Sequence, residues 1–169
     1  RYLSVMGPNL RYVECFLSLL ALPSVDVTKK DAQGRPLLFY LFDNEKVRTA
    51  PNIEDIMLPI VRRVVELGGS LMDGDQDGTT TLMRYLRIME PAVPTMECFL
   101  SLLDVATVDV TKKNGQGFPL LLFMIDNEKL HSATNGKDIM VPIARKVVEM
   151  GGSLNEGTAD GTTPLLRYL

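Results

Sequence analysis

The chain has 169 residues, 46% hydrophobic and 23% charged, with a formal net charge of −3. That excludes disordered, collagen-like and disulfide-scaffold chains, and the length is enough to bury a core. The mildly acidic balance lacks the clustered Lys and Arg that nucleic acid demands, and no apolar run reaches the roughly 18–20 residues of a membrane span.

In chain order, the apolar Glu14–Leu20 (ECFLSLL) is followed by Ser24-Val25-Asp26-Val27-Thr28 and the pair Lys29-Lys30. Asp31-Ala-Gln-Gly34 then reads as a turn, and Pro36–Phe42 as a short helix started by its proline. A polar inter-helix loop, Asp43–Glu54, leads to a second helix over Asp55–Leu67, where Ile56, Ile60, Val64 and Leu67 fall at helical spacing. Asp55 is expected to cap that helix, Pro59 to sit in its first turn, and Gly68-Gly69 to end it. Asp73–Thr79 reads as another turn. It is followed by a helix over Thr80–Ile88, a short link Glu90–Pro94, and a helix over Thr95–Leu103.

From there the chain repeats itself. ECFLSLL returns at Glu97–Leu103, VDVTKK of Val25–Lys30 at Val108–Lys113, DNEK of Asp43–Lys46 at Asp126–Lys129, and GGSL of Gly68–Leu71 at Gly151–Leu154. Every offset is 83 residues with no gap, and about 60% of positions match between the two copies. Arg-Tyr-Leu occurs at Arg1–Leu3, Arg84–Leu86 and Arg167–Leu169, so the chain reads as 1–83, 84–166 and the start of a third unit at 167–169, cut from a longer array. The turn glycines Gly34, Gly78, Gly117 and Gly161 are spaced 44, 39 and 44 residues apart. Each large unit therefore holds two smaller motifs, in the size range of helical solenoids. The expected motif boundaries are 1–22, 24–67, 68–105, 107–150 and 151–169, in one continuous array.

Candidate chemistry does not assemble. Asp73-Gly-Asp75-Gln-Asp77-Gly78 opens like an EF-hand calcium loop, but its twelfth position is Arg84 rather than a bidentate Glu. Its copy, Glu156-Gly-Thr158-Ala-Asp160-Gly161, loses oxygen ligands, so a solvent-exposed turn and no metal are expected. Cys15 and Cys98 take equivalent places in an apolar helix and read as core packing. His131 is the single histidine and aligns with Arg48, so no Ser–His or Cys–His constellation can form. Gly68-Gly69 and Gly151-Gly152 follow helices rather than open them, the wrong side for phosphate. No catalytic residue and no cofactor are expected. The paired Lys29-Lys30 and Lys112-Lys113 read as solvated arms balanced by Asp26, Asp31 and Asp109, with a row meeting an acidic ligand as the sharper alternative. Met57, Met140 and Met150 read as core filler.

The order helix, loop, helix, turn-rich arm, with D-x-x-G before P-L-L and G-G-S-L after the second helix, resembles the ankyrin repeat. Gly151–Leu166 carries the likeness best, and Ser24–Thr28 and Thr107–Thr111 match the element that opens the family's arm. The resemblance covers essentially the whole chain and implies a mostly α, helical repeat solenoid whose arms are turn-rich or β-hairpin-like. Motifs of 39 and 44 residues exceed the family's about 33, with the surplus mainly in Asp43–Glu54. The family's small pair is replaced by Tyr40-Leu41, Tyr85-Leu86, Phe123-Met124 and Tyr168-Leu169, bulk that should widen the stack or change its curvature. Non-enzymatic protein binding follows from the resemblance. The contact positions it implies are the arm residues Ala32, Gln33, Arg35, Gln76, Asp77, Thr79, Gly115, Gln116 and Phe118.

Two roles fit the repeat: a protein-interaction scaffold, or a structural segment of a giant tandem-repeat protein forming a fibre, lattice or elastic scaffold. Partners are expected to be other proteins or neighbouring copies of the array, self-assembly included. The N-terminus lacks a secretory pattern, so a cytoplasmic place is expected, with association to the cytoskeleton as the finer expectation. Neither end shows a polar cap, so fraying or aggregation of the isolated piece is expected.

Overall fold

Paired helices joined by glycine-containing arms build the chain in a computed structural model that describes residue 7 and residues 9–105 and 108–168. Arg1–Leu3, Thr107 and Leu169, which carry parts of the repeats above, lie outside the described residues. The helices are α1 (Leu10–Leu20), α2 (Leu37–Phe42), α3 (Glu45–Arg48), α4 (Ile53–Glu66), α5 (Thr81–Ile88), α6 (Val93–Leu103), α7 (Leu120–Ile125), α8 (Glu128–Ser132), α9 (Gly136–Glu149) and α10 (Pro164–Tyr168).

Two rows result. The short helices α2, α5, α7 and α10 each pack on the next, and so do the second helices α1, α4, α6 and α9. Each contact is between neighbours in the array, as a solenoid requires. The core includes Leu41, Phe42, Ile60, Leu86, Phe99, Leu121 and Ile143. Among the described residues there is no strand. Two arms close as antiparallel bridges, Gly74 with Thr80 and Lys113 with Pro119. The mostly α solenoid with hairpin-like arms expected from the sequence is thus the observed fold.

Four local details differ from expectation, the first being that α6, expected over Thr95–Leu103, begins at Val93 and takes Pro94 into its first turn, where a missing N–H costs little. The helix expected over Asp55–Leu67 begins two residues earlier, because Ile53 is buried and Asn52 occupies the cap position. Asp55 therefore stands in the first turn, where it favours the helix dipole rather than capping an amide. Pro59 falls in the second turn, not the first, and Pro142 repeats it in α9; each removes one helical hydrogen bond. The inter-helix loop is not featureless: Asn44 and Asn127 start one-turn helices, α3 and α8, by accepting amide hydrogen bonds. The start of α2 is as expected, with extended Pro36 immediately before it. Gly68, at φ +94°, ends α4 in the left-handed region open to glycine.

Candidate interaction surface

Three of the arms are turns built by their first side chain, while in the fourth Asp160 Oδ1 accepts from Thr162 N at 3.1 Å. In the first arm, Asp31 Oδ1 accepts from the amides of Gln33 (2.9 Å) and Arg35 (2.8 Å), and Gly34 N donates to Asp31 O (2.9 Å). Asp75 does the same for Asp77 and Thr79, both at 3.0 Å, and Asn114 for Gln116 (3.0 Å) and Phe118 (2.9 Å). A short side-chain acceptor that mimics a backbone turn explains why Asp or Asn opens these arms. The carboxylates at 73, 75 and 77 are thus parts of a turn, and Asp75 holds it closed.

The first arm adds a charged cluster. Tyr40 on α2 donates its hydroxyl to Asp31 Oδ2 at 2.6 Å, Arg35 forms an ion pair with Asp31 at 2.7 Å, and the guanidinium lies 5.2 Å from the Tyr40 ring centre. The Tyr40 hydroxyl first, then the Arg35 and Gln33 hydrogen bonds, hold the Asp31 carboxyl well below the usual carboxylate range. The same bond to Asp31 pushes the Tyr40 hydroxyl upward.

Successive arms bond to each other at their tips. Gln76 Nε2 donates to Ala32 O (3.1 Å), Gln76 N to Gln33 O (3.4 Å), and Gly115 N to Asp77 O (2.7 Å). The approach is so close that a Cβ on Gly78 would lie 2.9 Å from Gly115 N. The nine arm residues implied by the resemblance therefore fall along one edge. Ala32, Gln33, Asp77 and Gly115, however, spend backbone groups on joining the arms. The exposed polar side chains along the edge are Gln33, Gln76, Asp77 and Gln116, while Arg35, Thr79 and Phe118, at one equivalent position of the three arms, are half-buried.

The paired lysines are not simply solvated. Lys30 Nζ donates to Gly74 O of the next arm (2.8 Å), and Lys113, its equivalent, to Gly157 O (3.2 Å) with an ion pair to Glu156 (2.8 Å). Lys112 reaches back to Met72 O at 2.9 Å. These ammonium groups rivet arm to arm, and the regular spacing of the pairs is the spacing of the joints.

A second feature escaped the sequence reading. A polar cleft of about 550 Å³ lies at the C-terminal ends of α2, α5 and α7, the opposite end of those helices from the arms; Asp43, Arg48, Arg84, Arg87, Asp126 and Lys129 help line it. Arg84 Nε donates to Asp43 Oδ1 at 2.8 Å, and Arg167 Nε to Asp126 Oδ1 at 2.9 Å, one motif joined to the next in the same way twice. The buried Asn127 donates from Nδ2 to Leu86 O and Met89 O, both at 2.9 Å, while its Oδ1 accepts from Lys129 N (3.0 Å). Lys129 forms an ion pair with Glu90 at 2.6 Å. The recurring DNEK is thus a connector: Asp pairs with the next motif's Arg, and Asn caps. Its recurrence at Asp43 and Asp126 in step with Arg84 and Arg167 was the available signal.

The remaining candidates separate. Cys98 is wholly buried, 3.8 Å from Met57 Sδ, and burial pushes its thiol up to about 12. Cys15, expected to be core, is exposed, because no helix described in the structure covers that side of α1. His131 is exposed and packs on Tyr168 with ring centres 5.4 Å apart. Tyr85, one of the bulky replacements, is wholly buried between Phe42 (5.0 Å) and Phe99 (5.9 Å), and its hydroxyl donates to Thr95 O at 3.2 Å. Desolvation keeps that hydroxyl protonated far above its ordinary range. No group of three or more His, Cys, Asp or Glu among the described residues could hold a metal ion.

Comparison with solved structures decides the architecture. An ankyrin repeat domain from Acinetobacter baumannii AYE aligns over 94% of this chain and 85% of its own length, at 19% identity and a TM-score of 0.50. The fold is ankyrin-like. A second ankyrin repeat protein aligns over 94% of this chain and 84% of its own, at 15% identity and a TM-score of 0.38. No family model matches the sequence, and no curated protein matches it. Among the described residues no helix is long and apolar enough to cross a membrane.

Proposed function

We propose that the chain is a non-enzymatic protein-interaction module that meets its partner along the arm edge. The observation that carries this reading is the contrast within each arm. The bonds that build and join the arms recur, whereas the side chain at one equivalent position changes from Arg35 to Thr79 to Phe118 and at another from Gln33 to Asp77 to Gln116. A stiff edge with variable chemistry suits recognition, because the ordering cost of the loops is met before binding. Proteins are the partner class this edge fits, in a cytoplasmic setting. A photo-crosslinking residue placed at Gln116 tests it. Crosslinks to another protein, lost on Asp77→Arg substitution at an exposed arm side chain with an unchanged thermal melt, are expected. Capture only from positions away from the arms would overturn it.

The gapless 83-residue copying favours a second reading, a structural rung in a giant tandem-repeat protein that forms a fibre, lattice or elastic scaffold. Finding fewer than about three further copies in flanking sequence counts against it, since an extended rod needs many stacked repeats.

A further inference from the structure

The cleft of about 550 Å³ at the C-terminal ends of α2, α5 and α7 is walled by three consecutive motifs, and it holds cations that the chain does not neutralise. Arg84 is engaged with Asp43, and Arg167 with Asp126. Glu90 Oε1 lies 2.6 Å from the Lys129 ammonium but 3.6 Å from the Arg48 guanidinium, so two cations share one carboxylate oxygen and the lysine holds it. The other Arg48 contacts, to Phe42 O and Asp43 O, are long at 3.4 Å each. Its Nε is the one buried side-chain nitrogen or oxygen among the described residues without a hydrogen-bond partner, on a side chain only 10% exposed. Arg87, in the last turn of α5, lines the same cleft, and its exposed side chain has no ion pair or hydrogen bond among the described residues. The helix dipole favours a cation where Arg87 stands. It does not account for a buried guanidinium edge that lacks an acceptor. The 83-residue register separates frame from cation: Asp43–Lys46 recurs as Asp126–Lys129, but Arg48 becomes His131, and Arg87 and Glu90 stand where the first unit has Ser4 and Gly7.

From this cleft we infer that the chain binds an oxyanion, a phosphate monoester group, with Arg48 and Arg87 as its ligands. A guanidinium presents its N–H groups to an oxyanion as a fork. Arg48 ends α3 and Arg87 lies on α5, so a group between them accepts from two directions. A phosphate group suits this better than a carboxylate, because it offers three acceptor oxygens in a tetrahedral array and a charge near −2. It also supplies, after a small rotation of the side chain, the short contact that Glu90 gives to Lys129 instead of Arg48. Glu128, exposed on the same cleft, sets a like charge against the anion and limits its affinity. The group is borne by a free small molecule or by a phosphorylated side chain, which share this chemistry. The inference uses none of the arm residues and does not rest on the proposed arm-face partner.

Nuclear magnetic resonance of the arginine Nε–H groups tests this as inorganic phosphate replaces chloride at constant ionic strength. The Arg48 and Arg87 signals are expected to move along a saturable curve while that of Arg35, on the arm edge, stays in place. Arg87→Gln, at an exposed position, is expected to leave the thermal melt unchanged and to weaken binding by about tenfold or more, as loss of a charge-assisted hydrogen bond predicts. Glu128→Gln, also exposed, is expected to fold equally well and to bind more tightly. A short neutral peptide carrying one phosphoserine then identifies the bearer. Tighter binding of the peptide than of inorganic phosphate assigns the site to a phosphorylated side chain, and equal or weaker binding assigns it to a small molecule. The unphosphorylated peptide is expected to leave both signals in place. Linear drift of all arginine signals alike overturns the inference. So do an Arg87→Gln chain that binds phosphate as tightly as the wild type, a Glu128→Gln chain that binds no better, or an unphosphorylated peptide that moves the same signals.

Discussion

Helices α1 and α6 share the run ECFLSLL, yet Cys98 and Leu102 are sealed in the core while Cys15 and Leu19 face solvent. The difference lies in the neighbours: among the described helices, α6 packs closely on both α4 and α9, and α1 on α4. In a repeat array, burial is a property of position in the stack as much as of the residue. The same pair of sites can therefore measure what one interface is worth.

The largest contrast is expected at the tyrosines. Tyr85→Ala removes a wholly buried ring and its hydroxyl bond, and should cost about 3–5 kcal/mol in urea denaturation. Tyr168→Ala in dilute, monomeric protein should cost less than about 1 kcal/mol, since half of that ring already meets water. Equal losses would break the comparison. Next, Leu102→Ala should cost about 2–5 kcal/mol and Leu19→Ala under about 1 kcal/mol, read from the same transition.

A polar substitution sharpens the picture from another side. Asn127→Ala leaves the buried carbonyls of Leu86 and Met89 without their donor, and a loss of about 1–3 kcal/mol is expected. The smallest effect concerns the arms. Asp31 and Asn114 build the same turn, one with a carboxylate and one with a neutral amide. The Asp31 pKa is depressed on folding, so its contribution is whole above about pH 4, the unfolded carboxylate value, and is lost as pH falls through the folded value. Melting temperature should drop on acidification below about pH 4, and Asp31→Asn should weaken that dependence. An identical acid profile for the Asn variant would show that the turn does not use the charge.

Much of the architecture was legible because it is local or periodic. The 83-residue copy, the helical spacing of Ile56, Ile60 and Val64, and Gly68 as a terminator need only neighbouring residues to interpret. What escaped depends on partners in the next motif. The DNEK connector works through bonds spanning 41 residues, as from Arg84 to Asp43, and Lys30 reaches across 44 residues to Gly74. No local pattern shows that a lysine beside an aspartate donates to a distant carbonyl. The start of α4 moved for a related reason: burial of Ile53 against the stack outweighs a carboxylate cap at Asp55. The arm edge was placed by resemblance, and the structure adds which of its groups are consumed in holding the arms together.

The most direct measurement is the alkylation rate of the two cysteines in dilute, folded, monomeric chain, resolved by mass spectrometry. They occupy equivalent places in identical runs, so local sequence treats them alike. Cys15 is expected to react at the rate of an open thiol, and Cys98 only through unfolding, its thiol also held protonated by burial. Equal rates at the two sites would contradict an array in which burial is set by the neighbouring helices.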